Sequence, residues 1–124
     1  MVSDILEQHT KETIKMKHNI LTKKVIELMS TNNETLMIQF NASKIAEELD
    51  DVGYYANFSF LSKNGMPLLD SKLPSIIGKN KDGRIVVGFV LFTKDGLIDC
   101  LEGYTFGNEL WPERDEDIYL EIAN

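Results

Sequence analysis

Three dipeptides set the terms on which this chain can fold: Asn64-Gly65, Asp82-Gly83 and Asp95-Gly96. Each joins a residue that tolerates positive φ to a glycine that adopts it without steric cost, as a tight hairpin turn requires. Each also follows a β-rich stretch: YYANFSFL (54–61), SIIGK (75–79) and RIVVGFVLF (84–92), with LIDCLEGYTF (97–106) after the last turn. Tight turns between such runs make neighbouring strands antiparallel, and the three together predict a β-meander. RIVVGFVLF is apolar at both alternating sets of positions, which predicts a central strand covered on both faces. Gly88 inside it predicts a bulge or the close approach of a helix.

The remaining elements follow from period and punctuation. TLMIQF (35–40) is short and apolar and predicts a strand, and IYLEI (118–122) alternates and predicts the last one. ASKIAEELDD (42–51) predicts a brief helix, with Ser43 as its cap and Gly53 beyond its end. Pro67 and Pro74 bracket LLDSKL, a poor central strand and an irregular crossing. At the N-terminus, Ser3 or Asp4 followed by Glu7 marks a helix start. Ile14, His18, Leu21, Val25 and Leu28 then form one helical stripe, read as one helix or as two joined near Asn19, ending around Ser30 before the polar STNNE. With 124 residues the chain makes a single domain spanning 1–124. The expected fold is α+β: an N-terminal helix or helix pair packed on an antiparallel meander of about five to six strands.

Composition removes several functions. Cys100 is the only cysteine, so no disulfide forms within the chain and no zinc site can rest on thiolates. MVSDILEQHTKET has neither a basic start nor an apolar segment of the secretory type, and no run approaches the roughly 20 apolar residues of a membrane span. The expectation is a soluble cytoplasmic protein with no membrane contact. Net charge is −7, and it is localised. Residues 94–124 carry Lys94 and Arg114 against nine acids, which is −7 for that segment alone. A polyanion needs clustered Lys and Arg, so direct nucleic-acid binding is not expected; an acidic face suits a basic protein partner.

No motif supplies catalysis. Gly83 and Gly88 frame RIVV without the Lys-Ser/Thr of a P-loop, and neither GxGxxG nor GxSxG occurs. His9 and His18, nine residues apart, fall on opposite faces of a helix and cannot share a metal. Cys100 sits in a predicted strand between Asp99 and Glu102, whose charges raise a thiol pKa; this predicts a buried structural thiol. Asp99 and Glu102 point to opposite faces of a regular strand and form no acid/base pair. Glu113, Asp115, Glu116 and Asp117 lie close together, but Arg114 interrupts them and no glycine turn sits among them, so a solvated acidic turn is expected rather than a calcium loop. No catalytic residue, metal or cofactor is assigned, and the chain is not expected to be an enzyme. Trp111, the only tryptophan, has two readings: a plug folded back on the core, or an anchor for a partner among the acids.

The stretch GFVLFTKDGLIDCLEGYTFGNELWPE (88–113), with its apolar strand, Asp-Gly turn, Leu-Glu-Gly-Tyr and Trp-Pro, resembles the C-terminal hairpin of small acidic bacterial proteins. Some of these are immunity proteins of polymorphic or contact-dependent toxin systems. The resemblance implies a cytoplasmic inhibitor that blocks a basic toxin domain, a nuclease in particular, whose phosphate-binding groove an acidic surface can occupy. It places Glu102, Tyr104, Phe106, Glu109, Trp111, Glu113, Asp115, Glu116 and Asp117 at the partner interface. The alternative reading is a small homodimeric scaffold or regulatory domain without catalysis.

Overall fold

The computed structural model describes residues 20–50, 52–107 and 109–123. Two helices pack on one face of a six-stranded antiparallel sheet, the expected α+β architecture. The N-terminal helix start at Ser3, Asp4 and Glu7, and the readings of Ile14, His9, His18 and a joint near Asn19, lie outside the described residues. The first helix, α1, is described over 20–29 and turns Leu21, Val25, Ile26 and Met29 into the core. The STNN stretch closes it: the hydroxyls of Ser30 and Thr31 donate to the carbonyls of Glu27 and Leu28 at 2.8 and 2.7 Å.

Here the structure departs from the sequence expectation. TLMIQF is helical, not a strand: α2 spans Glu34–Ala42. Asn33 caps it, its side-chain oxygen accepting from the backbone N–H of Leu36 at 3.2 Å, and Leu36, Gln39 and Phe40 form its buried side. SKIAEELD is a strand, not a helix: β1 spans Ser43–Asp50. Ser43 ends α2 instead of starting a helix, and both its hydroxyl and its N–H donate to Phe40 O.

The other strands are β2 (Gly53–Phe60), β3 (Ser75–Lys79), β4 (Ile85–Lys94), β5 (Leu97–Thr105) and β6 (Tyr119–Ala123). Their order in the sheet is β1-β2-β5-β4-β3-β6, so only β3, β4 and β5 form the expected meander. Asp82-Gly83 and Asp95-Gly96 make its two turns; at the second, φ is 53° for Asp95 and 79° for Gly96. Asn64-Gly65 makes no hairpin. Its turn, closed by Met66 N–H to Lys63 O at 3.3 Å, belongs to the crossing from β2 to β3 that contains Pro67 and Pro74.

That crossing is tied down by Gln39, which is fully buried. Its amide donates to Pro67 O and Gly96 O at 2.8 Å each, and its oxygen accepts from Ile98 N–H at 2.9 Å. One side chain thus joins α2, the crossing and the β4–β5 turn. On the helix-facing side of the sheet, Tyr54, Ala56, Ile76, Val87, Phe89 and Leu101 complete the core, and Tyr54 shares a hydrogen bond of 3.3 Å with Thr22 of α1.

Candidate functional site

The opposite face of the sheet is open. Strand alternation and register place Glu48 and Asp50 of β1, Tyr55 of β2, Cys100, Glu102 and Tyr104 of β5, Val90 and Phe92 of β4, Ile77 of β3 and Tyr119 and Glu121 of β6 on this side. All are exposed or half-buried; β4 has the two-sided cover expected for it only over its first half, where Val86, Val87, Gly88 and Phe89 are buried in succession, and Val90 and Phe92 leave the rest open on this side. Gly88 has a different role from either expectation. A Cβ there would collide with the Tyr104 ring, which lies across it on the open face. The bulges lie elsewhere, at Gly78/Lys79 and Phe92/Thr93.

The open face has two halves. On β1, β2 and β5, the carboxylates of Glu48, Asp50 and Glu102 gather around Tyr55, whose hydroxyl donates to Glu102 Oε1 at 3.4 Å. The Glu102 charge, with that of Asp50, raises the Tyr55 pKa. Cys100 lies in the same patch, half-buried rather than buried in the core. Partial burial first, then Asp99, Glu102 and Glu48, raise its pKa, which disfavours a nucleophilic thiolate. Asp99 is the extra residue at the β5 bulge, between the partners of Phe92 and Thr93. The second half is mainly apolar: Tyr104 packs on Phe106 with ring centroids 5.5 Å apart, and Val90, Phe92, Ile77 and Tyr119 continue toward β6, where Lys79 and Glu121 form an ion pair. No group of three or more metal-ligating side chains occurs among the described residues.

The nine residues assigned to an interface from the sequence do not form one surface. Glu102, Tyr104 and Phe106 stand together on the open side. Trp111 is on the helix side, 8% exposed, edge-on to Tyr54 and Phe89 at 5.2 and 5.9 Å. It is a core plug and not an exposed anchor. Gly103 makes room for it: a Cβ at that position would lie 2.8 Å from the indole and 2.7 Å from the Tyr54 ring. Glu109 forms an ion pair with Arg84, which raises the arginine pKa through that bond. Glu113 is exposed in the loop. Asp115, Glu116 and Asp117 make a single 3-10 turn, Asp115–Asp117, leading into β6. Arg114 reaches Glu116 at 3.2 Å and Asp117 at 3.8 Å, so part of this acid is locally neutralised.

Glu48, Asp50 and Tyr55 were not among the residues assigned from the sequence. The signal for them is present in SKIAEELD, where Lys44, Ala46, Glu48 and Asp50 alternate with Ile45, Glu47 and Leu49 once the segment is read with a period of two. No protein-family model matches the chain, and no curated protein or solved structure shows significant similarity to it.

Proposed function

We propose that this protein is a non-catalytic binding protein of the immunity type, which occupies the basic surface of a toxin domain and blocks it. The observation that carries the reading is the open sheet face, where Glu48, Asp50 and Glu102 surround Tyr55 beside an exposed aromatic ridge. A nuclease must present cations to its phosphodiester substrate, and carboxylates held on a rigid sheet can take the place of those phosphates. The aromatic half supplies the apolar contact area that a specific interface concentrates at its centre.

Co-purification of the chain with the product of the neighbouring gene tests this. The expected partner is basic, forms a stable complex at low salt and loses its activity in it. A neutral or acidic partner, or none at low salt, counts against the reading. A second reading, a homodimeric scaffold, is favoured by the exposed Phe92 and Tyr119 on the same face. Sedimentation of the purified chain separates the two: a stable dimer burying these rings supports the scaffold.

A further inference from the structure

The sheet ends at β1, and the geometry points to this edge as the place where the partner adds a strand of its own. We infer that the strand alternates basic and apolar residues. This rests on the proposed basic partner and specifies how that partner is held. Three observations meet at β1. Its backbone pairs with β2 on one side and has no ladder partner on the other among the described residues. On its open-face side stand Glu48 and Asp50, next to Tyr55 and Glu102. On its helix side the core layer stops short: Ile45 is half-buried against the core and Leu49 is 48% exposed.

An added strand extends the hydrogen-bonded ladder, and its side chains alternate between the two faces of the sheet. One set therefore meets Glu48 and Asp50, with Lys44 at the far end of the strand, and the other meets Ile45 and Leu49 on either side of the half-buried Glu47. The first set calls for Lys or Arg, the second for aliphatic side chains. A second copy of this chain fits less well. β1 carries Lys44 against Glu47, Glu48 and Asp50, so two copies bring excess charge of the same sign to the contact. Charges on an edge strand are a usual guard against self-pairing, and here they select for a partner of opposite sign. The other edge, β6, is shorter, and its open-face acid Glu121 already holds Lys79 at 2.7 Å.

The test titrates the full chain with a capped peptide of alternating lysine and valine as long as β1. A control peptide carries the same charge but has proline at alternate positions, which cannot form a ladder. Amide hydrogen exchange then locates the binding. The alternating peptide should bind at least about tenfold more tightly than the control and slow exchange in β1 while leaving β6 unchanged. The variant carrying both Glu48→Lys and Asp50→Lys, two exposed positions, should lose about the same factor. Leu49→Asp should also weaken binding, which charge attraction alone does not require. Equal affinity for the two peptides, protection at β6, or outward amides of β1 already protected by self-association would each overturn the inference. The probe is a peptide, so failure at the edge is separable from failure of the toxin-inhibitor reading, which the gene neighbour's product tests.

Discussion

Trp111 closes the core where three aromatic rings meet edge to face, and a small residue, Gly103, lies under its indole. Truncating a buried aromatic of this kind removes its transfer free energy and leaves a cavity. Trp111→Ala should therefore cost about 3–5 kcal/mol in chemical denaturation. As the only tryptophan it also reports on itself: native emission should be blue-shifted and poorly quenched by iodide. Strong quenching in the folded protein would place the ring outside. Its neighbour Tyr54 sets a pH dependence. Burial pushes the Tyr54 phenol pKa well above its ordinary value; the hydrogen bond with Thr22 opposes this, and the charges of Glu47 and Asp115 add to it. A phenol whose folded pKa exceeds its unfolded value contributes stability that is intact below about pH 10 and lost as pH rises through the folded pKa. Tyr54→Phe removes both the hydrogen bond and the ionisation. It should be less stable than the parent by about 1 kcal/mol at neutral pH, with the gap closing above about pH 10. A gap that stays constant to high pH would remove burial of the phenol as the cause.

Gln39 does at the level of elements what Trp111 does within the core. Its amide bonds three backbone groups: Pro67 O in the crossing, Gly96 O in the β4–β5 turn and Ile98 N–H at the start of β5. Gln39→Ala should cost about 1–3 kcal/mol, since the buried Ile98 N–H loses its acceptor, while Gly96 O keeps the N–H of Leu69 at 2.8 Å. It should also speed amide exchange at Ile98 ahead of the sheet centre; uniform exchange across β4 and β5 would argue against a local clamp. Gln39 also shows why part of the fold was hidden in the sequence. The strands β3, β4 and β5 were legible because each turn between them carries its own local instruction, a glycine at positive φ. Over 34–50 the local signals conflict. TLMIQF is a short apolar run that suits helix or strand, and what decides is Asn33 capping Leu36 together with Gln39 reaching residues far along the chain. SKIAEELD is made largely of helix-forming residues, yet its pairing with β2 overrides that preference. The candidate site was legible to the same extent. Glu102 and Tyr104 share a face by simple alternation, whereas Glu48 and Asp50 join them only once β1 is known to be a strand beside β2, and β2 beside β5.

At the scale of the whole molecule, the charge that the sequence concentrates in its last quarter is redistributed by folding. Glu109, Glu116 and Asp117 meet Arg84 or Arg114, while Glu48 and Asp50 come from earlier in the chain to stand with Glu102. The open face therefore carries an acidic cluster drawn from distant parts of the chain, beside an acidic turn in which Arg114 offsets one charge. Exposed ion pairs add little to stability, but they cancel much of each other's field at a distance. This separates two sets of substitutions that would look alike in sequence. Reversing Glu48, Asp50 and Glu102 to Lys should slow association with a basic toxin domain by about tenfold or more at low salt and flatten the dependence of the rate on ionic strength. Reversing Glu116 and Asp117 removes two acids that Arg114 already partly offsets and should have a smaller effect on the same rate. Stopped-flow association at two salt concentrations reads both. Equal losses from the two sets would mean that the partner senses net charge alone, and the open face would lose its claim to the interface.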